Sequence, residues 1–185
     1  MEEQDFKGED YSKKSFGEQS FVSCNFYNCN FTESVLHSAK FSSCTFKNCN
    51  LSLMKMEGCR IQDAQFLECK IVGVDFFKCE KTFFSASFKE SLLQYCNFSD
   101  LNMKNTSFEG SKLKECYFTN TNLAAANFKE TDLSGTVFHN ADLSKADFSS
   151  ATNYDIDPQV NKVKKAKFSL PEAMSLLRGF DIMLL

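Results

Sequence analysis

The chain of 185 residues has no tryptophan, only two prolines and two histidines, and no long apolar run. No apolar stretch approaches the roughly 20 residues that cross a bilayer, so no membrane-spanning helix is expected. The first residues are polar and acidic and lack the apolar centre of a signal peptide, which predicts a cytoplasmic protein. The net charge of −3 argues against strong attraction to nucleic acid. We therefore expect neither a membrane nor a nucleic acid as direct partner.

Groups that carry catalysis are equally scarce. His37 and His139 have no nucleophile, carboxylate pair or second histidine placed to work with them. The sequence contains no glycine-rich phosphate loop and no recognisable spacing of metal ligands. We expect no enzyme activity, no catalytic residue, no cofactor and no metal site.

What the chain has in abundance is phenylalanine, with 21 residues, most of which are placed in a period of five. From residue 97 to 151, every fifth residue is Phe, Leu or Met, and the residue two places earlier is small or slim. This period fits neither a helix nor a strand and therefore indicates an internal repeat. The apolar residue and the small residue are expected to point inward and the others outward. If each such side turns about a right angle, four sides close a coil. Successive coils then stack at roughly 4.8 Å, and about seven coils make a rod roughly 35 Å long.

The nine cysteines follow the same repeat. Eight lie two places before a bulky apolar residue, where Ala141 and Ala146 lie in other repeats, and Cys79 has the same repeat position before Lys81, where the repeat breaks. We interpret them as small, buried and reduced side chains, with zinc binding or disulfides as the alternative. They are Cys24, Cys29, Cys44, Cys49, Cys59, Cys69, Cys79, Cys96 and Cys116.

Two interruptions divide the chain. The repeat runs from Phe6 to Phe76 and resumes at Phe83 with two extra residues, which predicts a bulge or kink at 77–83 between two half-rods. Residues 1–168 form the predicted solenoid, and residues 169–185 form a capping helix and tail. Ser169 fits a helix N-cap and Gly179 a helix stop. The predicted apolar helix face, which would cover the open end of the core, comprises Leu170, Ala173, Met174 and Leu177.

From Phe6 to Phe168 the chain resembles the pentapeptide-repeat family. The resemblance implies an all-β fold, a right-handed quadrilateral parallel β-helix, here with a short C-terminal capping helix. Within the family, Asp155–Pro158, Asn161 and residues 167–179 resemble the microcin B17 immunity protein and Qnr-type quinolone-resistance proteins. That resemblance implies binding to DNA gyrase or topoisomerase IV and a homodimer formed through the C-terminus. The implied dimer residues are Ala173, Met174, Leu177, Phe180, Ile182 and Leu184.

The outward residues leave two hypotheses for function. The first is a non-enzymatic binder of gyrase or topoisomerase IV that protects against a toxin or drug, and a dense acidic stripe on the rod would favour it. The second is a scaffold or regulatory protein with a different protein partner, which an aromatic patch at 77–117 would favour. An enzyme or metal-binding protein is the third alternative. The candidate partner-binding residues are Phe77, Phe84, Tyr95, Tyr117, Asp132, Asp142 and Asp147.

Overall fold

Each coil of the chain has four short sides, because an inward apolar residue recurs every five positions and a turn follows it. The computed structural model describes residues 1–180 and Ile182, which form a parallel β-solenoid of about 8 turns. Strands one coil apart pair in register, so that Phe26 lies beside Phe46. The predicted parallel β-helix is confirmed. Its strands are β1 (Asp5–Lys7), β2 (Ser20–Val22), β3 (Asn25–Tyr27), β4 (Lys40–Ser42), β5 (Thr45–Lys47), β6 (Arg60–Gln62), β7 (Ala64–Leu67), β8 (Lys70–Val72), β9 (Ala86–Lys89), β10 (Leu92–Gln94), β11 (Lys112–Lys114), β12 (Tyr117–Thr119), β13 (Val137–His139), β14 (Asp147–Phe148) and β15 (Lys167–Phe168).

The sides of successive coils form four faces, numbered in chain order. Face 1 carries β1, β3, β5, β7 and β9 and continues through β14 and β15. Face 2 carries β8, β10 and β11, face 3 carries β12 and β13, and face 4 carries β2, β4 and β6. Isolated bridges, such as that between Asn30 and Asn50, keep the same register between strands. The four faces enclose one continuous core of inward side chains.

Phenylalanine rings stack along face 1 from one end of the solenoid to the other. Neighbouring rings are nearly parallel, with centroids 4.8 to 5.4 Å apart. Rings of face 3 meet them edge-on, as Phe98 meets Phe88 at 5.5 Å and 73°. Aromatic pairs favour stacked and edge-on arrangements of this kind. The stacked residues are Phe6, Phe26, Phe46, Phe66, Phe88, Phe108, Phe128, Phe148 and Phe168.

The turns between faces place residues in the left-handed region of φ. At the turn that follows face 1, Asn28 and Asn48 have φ of 54° and 53°, and Gly110 has φ of 68°. Glycine and asparagine adopt positive φ more readily than other residues. Most residues at these corners are polar or glycine, as the pattern predicted.

The small inward residue of each repeat adds a polar ladder inside the core. The Sγ of Cys49 lies 3.3 Å from the carbonyl oxygen of Phe26, and the Oγ1 of Thr136 lies 2.8 Å from that of Leu113. All nine cysteines are free and buried, as predicted. Seven of them also act as weak hydrogen-bond donors to the preceding coil. Burial raises the pKa of Cys44 to about 11, which keeps its thiol protonated.

The register break is absorbed without interrupting the ring stack. Phe66 pairs with Phe88, a spacing of 22 residues (88 − 66), and their rings stack at 5.0 Å and 7°. A 3₁₀ helix at Phe76–Lys78 begins the altered segment. Backbone hydrogen bonds keep the ordinary register as far as that from Glu80 to Cys59. The additional residues therefore lie after Glu80, on face 4, and face 1 continues in line.

The orientation predicted for the two phenylalanines after the break is wrong. Phe84 is 6% exposed and its ring lies 6.1 Å from that of Phe76, whereas Phe83 is 52% exposed. The regular inward position would be Lys81, and Phe84 enters the core three residues later, one residue beyond the predicted Phe83. Ala86, the next inward residue, then follows two positions later in place of the usual three. Phe84 belongs to the core and is not available as a partner-binding residue.

The C-terminal end of the core is covered by a second 3₁₀ helix, Glu172–Phe180. Leu176 packs against the core, whereas Leu170 and Met174 are exposed. The predicted apolar face is therefore wrong at two positions. Leu170 precedes the helix, and Met174 points outward because a 3₁₀ helix has 3.0 residues per turn, which changes the set of residues that share a face. Ser169 is not an N-cap: its Oγ accepts a hydrogen bond from the backbone N–H of Ser150 at 3.0 Å.

The ring stack predicts how stability depends on its central members. Phe108 is fully buried between Phe88 and Phe128, so Phe108→Ala should lower the free energy of unfolding by about 3–5 kcal/mol. Phe83→Ala removes an exposed ring and should cost less than about 1 kcal/mol. Guanidinium unfolding of both variants measures this difference. Similar losses in the two variants would contradict a core dominated by the stack.

Candidate protein-interaction surface

Four exposed apolar side chains lie along the edge between faces 2 and 3. Leu53 and Tyr95 occupy the corner that follows face 2, and each is 50% exposed. Tyr117 and Val137 are the first residues of β12 and β13 on face 3 and are 45% and 41% exposed. They pair with each other in register. We call Leu53, Tyr95, Tyr117 and Val137 the apolar edge.

The predicted aromatic patch is only partly assembled. Tyr95 and Tyr117 lie together on the apolar edge, one coil apart, because Tyr117 pairs with Asn97. Phe77 follows the central residue of face 3 and is half-buried, with the Nζ of Lys78 5.8 Å from its ring centroid. It therefore lies on the far side of face 3 from the apolar edge.

Sequence reasoning missed Leu53 and Val137. The signal for Leu53 was present, because a leucine occupies a corner position that in most other coils carries a polar residue or glycine. Val137 becomes recognisable only when the coils are aligned, which places it directly beyond Tyr117.

The three candidate carboxylates lie on three different faces. Asp132 precedes the central residue of face 2, Asp142 that of face 4, and Asp147 that of face 1. Each accepts a hydrogen bond from the backbone N–H two residues later, at 3.2, 3.0 and 3.0 Å respectively. These carboxylates therefore stabilise local turns and do not together form an acidic stripe.

Lysines further offset this negative charge. Lys167 lies 3.1 Å and Lys129 3.8 Å from Asp147, and Lys162 lies 3.9 Å from Asp142. Partial burial alone would raise the pKa of Asp147, but hydrogen bonds from Ser149 and the charge of Lys167 lower it to about 2. Asp147 is thus a paired, structurally bonded carboxylate.

The candidate dimer residues lie at the C-terminal end. Met174, Phe180 and Ile182 are exposed, and Ala173 and Leu177 are half-buried. Leu184 lies outside the described residues. The exposed side chains form an apolar surface at the end of the solenoid, separate from the apolar edge.

In the described part of the chain, no group of three or more His, Cys, Asp or Glu side chains could hold a metal ion. Within residues 1–180 and Ile182, no helix is long and apolar enough to cross a membrane.

Solved structures share this fold. Two trypsin-treated forms of QnrB1, a plasmid-mediated fluoroquinolone resistance protein, match 100% of this chain at 20% identity. They cover 91% and 89% of the QnrB1 chains, with TM-scores of 0.65 and 0.63. HetL, a pentapeptide repeat protein involved in heterocyst differentiation regulation from the cyanobacterium Nostoc sp. strain PCC 7120, matches 90% of this chain and 84% of its own at 17% identity, with a TM-score of 0.42. No curated protein matches.

The coils, corners and stacked core define a β-solenoid protein. A family model described as a pentapeptide repeat region matches residues 19–98, and one described as pentapeptide repeats (8 copies) matches residues 83–120 and 116–152. Together these matches span most of the chain. The chain belongs to the pentapeptide-repeat family.

The pairing of Asp147 predicts a pH dependence of stability. Its pKa is lowered from 3.8 to about 2 in the folded chain, so its stabilising contribution is complete above about pH 4 and is lost as the pH falls through about 2. Asp147→Asn keeps a hydrogen-bond acceptor but removes the charge. The wild type should exceed this variant by about 2 kcal/mol in free energy of unfolding at pH 5, and the difference should largely vanish at about pH 2.

The control for this measurement is Asp155→Asn. Asp155 is exposed and lies 4.0 Å from Arg178, so its replacement should change stability little. Denaturant unfolding at several pH values measures all three proteins. A difference between the wild type and Asp147→Asn that is independent of pH would contradict the assigned role of Asp147.

Proposed function

We propose that this chain is a non-enzymatic protein-binding rod that acts as a scaffold or regulatory module. The observation that carries the proposal is the apolar edge, where four large apolar side chains are exposed in a line along the solenoid. Exposed apolar patches of this kind mark surfaces that bind other proteins. The interior supports the same interpretation, because it is filled by stacked side chains.

The placement of the reactive side chains within residues 1–180 and Ile182 also supports this function. His37 and His139 both follow central residues of face 3 but lie several coils apart. The buried cysteines donate hydrogen bonds to backbone carbonyls, and burial raises the pKa of Cys44. A protonated, buried thiol is a poor nucleophile. The residues with reactive side chains are therefore used to build the solenoid.

A second candidate is protection of DNA gyrase or topoisomerase IV. The fold it shares with QnrB1 over its whole length favours this candidate. The scattered positions of Asp132, Asp142 and Asp147 argue against a continuous DNA-like charge on the wall. We therefore rank a partner other than a topoisomerase first.

Site-directed cross-linking tests the proposed function and separates the two candidates. The photoreactive substitution Tyr95→p-benzoylphenylalanine is placed on the apolar edge, and Phe83→p-benzoylphenylalanine is the matched control at an exposed ring elsewhere. We expect position 95, and not position 83, to capture a protein from an extract of the producing cell. The same proteins are also irradiated with purified gyrase.

The outcomes of this experiment are distinct. Capture of gyrase, accompanied by altered supercoiling in a gyrase assay, would favour the second candidate. The absence of any specific protein adduct would overturn the proposal that the apolar edge binds a protein.

We also propose that the chain forms a homodimer through the exposed apolar surface at its C-terminal end. Sedimentation of the full chain should report a dimer, and the double variant Met174→Lys/Phe180→Lys should report a monomer, because both exposed side chains become charged. Phe83→Lys serves as the control and should remain dimeric. A monomeric wild type would overturn the proposed dimer.

A further inference from the structure

Two members of the apolar edge occupy strained backbone positions. Leu53 and Tyr95 have φ of 59° and 54°, in the left-handed region. Residues with a Cβ are disfavoured there by roughly 1–2 kcal/mol, and most equivalent corners carry a polar residue or glycine in place of a large apolar one. Both side chains are half-exposed, so burial in the core does not offset the strain. A large apolar residue that both adopts positive φ and exposes its side chain to water indicates a role outside folding.

The side chain of Leu53 lies along the edge, over the glycine of the next coil. A Cβ at Gly73, the next corner position, would lie 2.9 Å from the Cδ2 of Leu53. Glycine at this corner therefore leaves room for the leucine between its own coil and that of Tyr95. A surface depression of about 530 Å³, lined in part by Met54 and Lys55, adjoins it. The edge presents a shallow apolar surface with space beside it for a partner side chain.

The backbone of this edge is not available for strand pairing. The N–H groups of Leu53, Tyr95, Tyr117 and Val137 all donate to carbonyl oxygens of neighbouring coils, at 2.7 to 3.0 Å. These four N–H groups are therefore not free to pair with a β-strand of a partner protein. A partner must therefore satisfy its own backbone and bind through side chains, as an amphipathic helix does.

The axial spacing of the edge residues matches a helix. Leu53 and Tyr95 are two coils apart, roughly 10 Å, which corresponds to about seven residues of an α-helix. Tyr117 and Val137 follow at one coil each. A helix laid along the solenoid would thus contact the edge with apolar residues about one and two turns apart, the spacing of a single helix face.

Charge on the edge specifies the kind of helix. Glu33 and Glu115 occupy the same corner column, one coil beyond Leu53 and Tyr95 on either side. Within the described residues, neither carboxylate has an ion pair within 4.0 Å. By contrast, Glu57 nearby is paired with Lys78 at 3.4 Å. Lys55 and Lys114 flank the column and repel a basic partner. Attraction to a basic partner therefore comes from the two unpaired carboxylates.

We infer that the apolar edge binds an amphipathic helix of another protein, which lies along the solenoid axis. Its apolar face contacts Leu53, Tyr95 and Tyr117, and its basic residues lie near Glu33 and Glu115. This inference rests on the proposed function as a protein-binding rod and names the kind of partner that the edge fits.

A synthetic peptide tests the inference directly. The probe is a fluorescently labelled peptide of about 16 residues, built from Leu, Lys and Ala with the leucines on one helical face. A peptide of the same composition with scrambled leucines is the control. We expect the helical probe to bind the full-length chain at least about tenfold more tightly than the scrambled one by fluorescence anisotropy, and to gain helicity in circular dichroism.

Matched variants locate the site. The double variant Leu53→Asn/Tyr95→Asn should weaken binding at least about tenfold while leaving stability unchanged or raised, because asparagine tolerates positive φ. Glu33→Gln/Glu115→Gln should weaken binding and reduce its dependence on salt. Phe83→Asn should change neither property. Lower stability of Leu53→Asn/Tyr95→Asn would mean that these side chains serve folding, and would overturn the inference.

Two other results would also overturn it: equal binding of both peptides, or binding that is unaffected by the edge variants. The cross-linking experiment separates this failure from failure of the proposed function. A protein adduct at Tyr95 combined with no preference for the helical peptide removes only the inferred helix. A lack of any adduct removes the protein-binding function as well.

Discussion

The stacking of one coil on the next is the interaction on which the whole molecule depends. Each coil is too small to bury its own apolar residues, and it gains a core only from its neighbours. The rings of face 1 carry this contact from Phe6 to Phe168, and backbone hydrogen bonds run in the same direction. Both sets of contacts require that a residue and its partner one coil away have matching shapes. That requirement explains why phenylalanine recurs so often in this chain.

Much of the fold could be predicted from the sequence because the inward positions repeat without ambiguity. The like-on-like columns and the buried cysteines follow from one period, whereas the four-sided section was implied by the resemblance to the pentapeptide-repeat family. The hydrogen bonds of the small residues were not predicted, because a cysteine such as Cys49 was interpreted only by its size. The choice between Phe83 and Phe84 was also wrong, since an irregular turn has no periodicity from which to read the inward residue.

The candidate surface was harder to predict for a related physical reason. Outward residues are not constrained by packing, so their grouping depends on which corner or face each residue reaches. Tyr95 and Tyr117 were found because aromatic residues are conspicuous, whereas Leu53 resembles a core residue until its corner position is known. The carboxylates of Asp132, Asp142 and Asp147 are near each other in sequence, yet successive five-residue sides carry them around the wall.

The irregular segment after Phe76 determines how the coils on its two sides are rotated relative to each other about the solenoid axis. In a four-sided coil, a shift of one full side would turn everything beyond it by a quarter revolution about the axis. The two extra residues are instead confined to one level, and Phe88 lies directly over Phe66. The halves on either side therefore stay rotationally aligned. Leu53, which precedes the insertion, and Tyr95, which follows it, consequently share one longitudinal line on the wall.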